Sequence, residues 1–312
     1  MKRFLSNARI RIFLCGSLLA LSAFRPASSA EAARSASADT ATGIENRYPG
    51  YRLAFAEEFD GDSLNLDVWD FETGLCRNHE DQYYQKENVS VADGCLRIEA
   101  RKERVKNEAY VEGSSDWKTK NPFAEYTSSS IFTRHSDGDE YCWGPGIYEV
   151  RAKVPVATGY WPAIWSCGTK YEWPCNGEID MMEYYGDAIH ANVAWGGKGR
   201  FQATWDSEAP RMSHFAPDFA DSFHIWRMEW TDSSIKLFLD DELLNETDLD
   251  DTVNPRTDWF PFDNVNPYRG DHKQFMILNF ALGGDNGGSL EDTPLPATYY
   301  VDYVRIYQPD TD

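Results

Sequence analysis

The sequence predicts an all-β protein, a sandwich or jelly roll of short antiparallel strands, and three observations carry that prediction. Apolar residues recur at every second position in many short segments. Gly, Asn, Asp and Pro punctuate those segments. No segment keeps the 3.6-residue apolar period of an amphipathic helix. In chain order, Leu96, Ile98 and Ala100 alternate with Arg97 and Glu99. Tyr148, Val150, Ala152 and Val154 alternate with Glu149, Arg151 and Lys153. Trp226, Met228 and Trp230 alternate with Arg227 and Glu229. Ile235–Leu239 and Glu242–Leu244 flank Asp240-Asp241, a hairpin turn. Tyr303, Arg305 and Tyr307 alternate with Val304 and Ile306. Composition is even from Tyr48 to Gln308, with no linker or repeat, so residues 47–309 read as one domain and 310–312 as a tail. Aromatics make up 14% of the chain, with 11 Trp and 17 Tyr, enough for a thick β core or for surfaces that stack on flat ligands.

The first residues read as an export signal. Lys2, Arg3, Arg9 and Arg11 precede a nearly unbroken apolar run from Ile12 to Phe24, and Ser28-Ser29-Ala30 supplies small residues for cleavage. The run is too short to span a bilayer as a helix, so the expectation is a signal peptide over 1–30, a secreted or periplasmic product, and no membrane after cleavage. Residues 31–46, rich in Ala, Ser and Thr, read as a flexible leader. Residues 1–30 hold five bases and no acid, so their removal takes the formal charge from −21 to −26. Such a surface repels nucleic acid and anionic membranes and disfavours a heavily sulfated ligand. Five cysteines remain after cleavage, an odd number that leaves at least one thiol and allows one or two disulfides.

The chemistry concentrates in Gly177-Glu178-Ile179-Asp180-Met181-Met182-Glu183-Tyr184. In a strand Glu178 and Asp180 share a face, but Glu183 stands at an odd offset and would turn away. One extra residue, a β-bulge, returns it to the Glu178 face. Three carboxyls on one face repel one another, which stabilises nothing and shifts pKa values. Two carboxyls roughly 5–5.5 Å apart are what a retaining glycosidase needs. The alternative is an exposed acidic strand in a very acidic chain. Tryptophans nearby favour the first reading: Trp161 and Trp165 share a face if Pro162 leaves the strand intact, and Trp173 lies five residues before Glu178.

Glu-Ile-Asp-Met-Met-Glu resembles the signature of glycoside hydrolase family 16, in the bulged form of its laminarinase-like members. Six further segments fall in that family's order: Glu58-Phe59-Asp60-Gly61, Asn78 to Tyr84 followed by Asp93-Gly94-Cys95-Leu96, Tyr148 to Lys153, Trp161-Pro162-Ala163-Ile164-Trp165, Leu278 to Gly284, and Val301 to Arg305. The resemblance implies a curved antiparallel β-sandwich, a concanavalin-like jelly roll, with an open cleft on its concave face. It implies Glu178 as nucleophile, Glu183 as general acid/base, and Asp180 holding Glu178 by a hydrogen bond. It makes Trp161, Trp165 and Trp173 candidates for stacking on sugar. It also implies hydroxyl recognition by Asn78, Glu149 and Arg151 on the non-reducing side. His190 and Asn192 share a face on the strand after the signature. There Ala194 stands where many laminarinase-like members carry a second histidine, and His190 reads equally as a core histidine.

No cofactor is expected for catalysis. Family members often bind a structural calcium, and Glu58 and Asp302 occupy the matching positions, although Ca²⁺ needs six to eight oxygens. The histidines show no zinc or iron spacing, and no nucleotide or hydrolase-serine fingerprint is present. The expected protein is a monomeric endo-β-glucanase cutting β-1,3- or mixed β-1,3/1,4-glucan. The alternatives are the same mechanism on a galactan such as agar, porphyran or carrageenan, and a sugar-binding module that has lost catalysis. All three acids are present, which argues against the module.

Overall fold

The computed structural model describes residues 43–45, 47–133, 140–256, 260–262 and 272–310. The expected signal peptide over 1–30 and nearly all of the expected leader over 31–46 lie outside the described residues. Residues 45–312 form one compact unit, and of the separate unit over 1–44 only residues 43 and 44 are described.

Among the described residues two antiparallel sheets carry the unit. The first contains β1 (Tyr51–Glu57), β4 (Val89–Ala92), β5 (Cys95–Ala100), β10 (Gly146–Lys153), β15 (His224–Trp230), β16 (Ser234–Leu239), β17 (Glu242–Asp248) and β19 (Ala297–Pro309). Its order is β17-β16-β15-β10-β19-β5-β4, and β1 pairs the far end of the long β19. The second contains β2 (Trp69–Phe71), β9 (Ser130–Thr133), β11 (Tyr160–Gly168), β12 (Glu178–Tyr185), β13 (Ala188–Gly196), β14 (Ala203–Glu208) and β18 (Gln274–Leu282), ordered β14-β13-β12-β11-β18-β9-β2. Two small ribbons complete the set, β3 (Gln82–Tyr84) with β8 (Tyr126–Ser128) and β6 (Val105–Lys106) with β7 (Phe123–Ala124).

The alternation read from sequence sets the core. Leu96, Ile98, Tyr148, Val150, Trp226, Met228, Ile235 and Leu237 point inward from the first sheet. Ile164, Ile179, Met182, Ile189, Val193, Met276, Leu278 and Phe280 meet them from the second. The hairpin turns at Asp240-Asp241, with Asp240 in the left-handed region that such turns require. No described helix is long and apolar enough to cross a membrane. Cys76, Cys95, Cys167 and Cys175 are free thiols, so the disulfides that the cysteine count allows do not form among these four.

Candidate active site

The core-facing set on β11, β12 and β13 leaves the other parity on the opposite face of the second sheet. Trp161, Ala163, Trp165 and Cys167 share that face with Glu178, Asp180, Glu183, His190 and Asn192. The bulge makes this so. Asp180 pairs Asn192 and Glu183 pairs His190, three positions on β12 against two on β13. Against β11, Trp165 pairs Asp180 and Ile164 pairs Met182, leaving Met181 as the extra residue. Met181 and Met182 are both buried in the core, and that consecutive apolar pair anchors the bulge. Gly177 immediately precedes the strand with φ +79°, and a Cβ there would lie 2.6 Å from the Phe262 ring, so only glycine brings Glu178 in at this point.

The three carboxyls form one hydrogen-bonded cluster. Trp161 Nε1 donates to Glu183 at 2.7 Å. Asn192 Nδ2 donates to both Asp180 and Glu183 at 3.2 Å. Trp173 Nε1 donates to Glu178, and the Cys167 thiol lies 4.0 Å from the same oxygen. Burial pushes Glu183 up to about 7, opposed by the Trp161 N–H and reinforced by the charge of Glu178. Burial, then Glu183 and Glu178, raise Asp180 well above the ordinary aspartate range. Asp180 therefore keeps its proton and gives it in a hydrogen bond to Glu178, which favours the ionised Glu178. Burial is the largest influence on Glu178 and leaves it raised, although the Trp173 N–H, Asp180 and the Arg77 cation each oppose that rise. All three acids are raised by burial, and Glu183, at about 7, is placed to give a proton near neutrality.

The cleft has a volume of about 900 Å³. Of the candidates named from sequence, Asn78, Trp161, Trp165, Trp173, His190 and Asn192 line it. Trp173 is 37% exposed at its rim. Trp165 donates to Asn279 at 2.7 Å, and Asn279 donates to the Tyr84 hydroxyl at 3.0 Å. Asn78 reaches Glu80 at 3.4 Å. His190 stacks on Tyr185 with centroids 3.7 Å apart, and burial lowers its pKa, opposed by the hydrogen bond to the Tyr185 carbonyl.

Two pairs of expected residues lie elsewhere. Glu149 and Arg151 belong to β10, in the other sheet, on its face away from the core. Glu149 is fully buried there and accepts hydrogen bonds from Arg47, Tyr48 and Tyr303, while Arg151 pairs with Asp302. The polar face of that strand was read correctly, but it fastens the chain's Arg47-Tyr48 segment and does not line the cleft that holds the three carboxyls. Glu58 and Asp302 do not fit a calcium ion. Arg305 takes both oxygens of Glu58 at 2.7 Å and Arg151 takes Asp302, so each acid is already neutralised. No group of three or more His, Cys, Asp or Glu among the described residues is placed to hold a metal.

The structure adds residues that the sequence did not single out. Arg77 is the cation of the cleft. It forks to Glu72, stands 3.9 Å from Glu80, and covers the Trp165 ring at 4.9 Å. Its place directly before Asn78 in a chain of charge −21 is the only signal that pointed to it. Glu80, Cys167 and Tyr185 also line the cleft, as do Phe201 and Trp205 from the β13–β14 edge.

A jelly roll carrying paired carboxylates in an aromatic cleft defines a glycoside hydrolase. The sequence pattern of the family described as Glycosyl hydrolases family 16 matches residues 77–269, and the chain belongs to that family. A beta-glucanase of Rhodothermus marinus is 33% identical over 84% of this chain and 87% of its own. A structure reported among the endo-acting O-glycanases that members of the human gut microbiota express to initiate mucin breakdown is 32% identical. It covers 84% of this chain and 92% of its own, with a TM-score of 0.71. The catalytic domain of an endo-1,3-beta-glucanase (laminarinase) from Thermotoga petrophila RKU-1 is 30% identical over 84% of this chain and 99% of its own, with a TM-score of 0.67.

Proposed function

We propose that the protein is an exported endo-β-glucanase that cuts β-1,3- or mixed β-1,3/1,4-glucan with retention of configuration. The observation that carries the mechanism is the convergence of Glu178, Asp180 and Glu183 on one face of β12, with Trp173 donating to Glu178 and burial raising Glu183 to about 7. Glu178 attacks the anomeric carbon while Glu183 gives its proton to the departing glycosidic oxygen, and a covalent glycosyl-enzyme forms. Glu183, now ionised, takes a proton from water, the water opens the ester at the same carbon, and Glu178 leaves as carboxylate. Asp180 keeps its proton throughout and holds Glu178 in line. The beta-glucanase and laminarinase relatives support the glucan, and the net charge supports a neutral polymer. The basic start and apolar run of residues 1–30 support export.

Likeness to the mucin O-glycanase structure favours a second reading, the same chemistry on a galactose-containing glycan. One panel separates the two. Reducing-sugar release is followed on laminarin, lichenan, agarose, carrageenan and mucin at equal mass. Faster release from laminarin or lichenan is expected, and faster release from mucin or a galactan overturns the glucan reading. Glu178→Ala with added azide should yield a product of inverted anomeric configuration. Wild type that itself inverts would overturn retention.

A further inference from the structure

Two large aromatic side chains stand exposed on the cleft face with no role in the chemistry above. Trp205 is 46% exposed and Phe201 is 54% exposed, and both line the cleft. Core packing does not explain them, since neither belongs to the buried cluster. Register places Trp205 with care. Glu178 pairs Ala194 across β12 and β13, and Ala194 pairs Trp205 across β13 and β14. Directly paired residues share a face, so the indole and Glu178 rise on one side of the sheet. Two strand spacings, roughly 9.6 Å of backbone, separate them. The residue between is alanine, whose methyl group leaves the row low.

Phe201 sits on the turn joining β13 to β14, which Gly197 and Gln202 close by a 2.6 Å backbone hydrogen bond. Its φ of 58° is uncommon for an aromatic residue and marks a position that its surroundings hold. Arg200 supplies the hold. Its guanidinium covers the Phe201 ring at 4.7 Å and forks to Glu172 at 2.8 and 2.6 Å. Glu172 precedes Trp173, the residue that donates to Glu178. The turn is therefore clasped to the loop that sets the nucleophile.

We propose that Trp205 and Phe201 form an aromatic platform that seats a further pyranose ring of the chain, at the end of the cleft opposite Asn78. Sugars present CH-rich faces that pack on aromatic rings, and an indole open on the cleft floor has the shape for one. The platform deepens the polysaccharide-hydrolase reading and rests on it. It makes chain length, rather than linkage alone, a determinant of turnover. Arg200 acts through Phe201 as a positioning residue.

The test is kcat/KM along a ladder of oligosaccharides of increasing length, prepared from whichever polymer of the panel the wild type cleaves. The glucan reading can then fail on the panel while the platform is still measured. Wild type, Trp205→Ala, Trp205→Phe, Phe201→Ala and Arg200→Ala are compared, with circular dichroism to confirm folding. Wild type should gain kcat/KM steeply at the length that first reaches the platform. Trp205→Ala should lose about tenfold on the longest substrates and distinctly less on the shortest, so that the step flattens. Trp205→Phe should restore part of the step, and Phe201→Ala and Arg200→Ala should each lower it. A folded Trp205→Ala that loses the same factor at every length, or loses nothing, overturns the platform.

Discussion

Trp161→Phe isolates the bond that tunes the acid. The indole N–H donates to Glu183 at 2.7 Å and stabilises its ionised form. Phenylalanine keeps the ring against Tyr185, which Trp161 meets edge-on at 5.3 Å, and removes only the donor and the second ring. Loss of the donor favours the protonated carboxyl, so the pKa of Glu183 must rise. A hydrogen bond to a charged group contributes roughly 1.5–3 kcal/mol and one pKa unit is about 1.4 kcal/mol, so a lone bond would move it by one unit or more. Asn192 still donates to Glu183 and water can enter, which brings the expected rise to about one unit. The assay is kcat/KM against pH, whose limbs report the free enzyme's ionisations. The alkaline limb should move from near 7 to about 8. The acidic limb should stay, because Glu178 takes its hydrogen bonds from Trp173 and Asp180. The height of the profile will fall as stacking on substrate is lost, but height does not move a limb. An alkaline limb that stays or moves down, in a folded variant, would refute the assignment of Glu183 as the acid.

Asn192→Ala removes a longer, shared bond, 3.2 Å to each of Asp180 and Glu183, so its alkaline limb should rise by less than that of Trp161→Phe in the same titration. Deleting Met182 converts the bulged strand into a regular one in which all three acids alternate on one face. The variant should lose about 2–5 kcal/mol of stability in denaturant unfolding, because a fully buried side chain goes, yet retain measurable turnover. A folded deletion as inactive as Glu183→Ala would show that the pleat does not set where these carboxyls point.

Much of the catalytic wall was legible because a strand's period of two assigns faces without knowledge of the fold. The odd offset of Glu183 demanded one extra residue, and the structure puts it at Met181. At Glu149 and Arg151 the same rule gave the polar face correctly, and the substrate role that the family resemblance implied for them does not follow from it. Periodicity says that they point away from the core, but not from which sheet, and here the polar face belongs to the sheet opposite the cleft. Glu149 is then buried by residues 101 to 154 positions away in sequence, which no local pattern reveals. Arg77 lies in a loop, where no period exists to place it. Phe201 and Trp205 were invisible for a related reason, since an exposed aromatic and a buried one look alike until strands are paired.

The raised Glu183 has a cost that the fold must carry, and its sign can be tested. Its pKa is about 7 in the folded chain against an ordinary 4.5, so the native state holds a proton that the unfolded chain releases between those values. Stability from this group is full below about pH 4.5 and lost as pH rises through 7. The shift corresponds to about 3 kcal/mol, and contact with solvent in the cleft reduces it to about 2 kcal/mol. Glu183→Gln removes the ionisation while nearly keeping the shape. Its Oε1 can still accept from Trp161, and Asn192 can turn its amide to face the new NH₂. Any penalty of that turn is the same at every pH, so slope rather than offset carries the test. Relative to wild type, Glu183→Gln should gain little between pH 3 and 4 and about 2 kcal/mol by pH 8, measured by denaturant unfolding at each pH. Equal offsets at pH 4 and pH 8 would mean that burial does not hold the proton on Glu183, and an enzyme of this design would then have no acid ready at neutral pH.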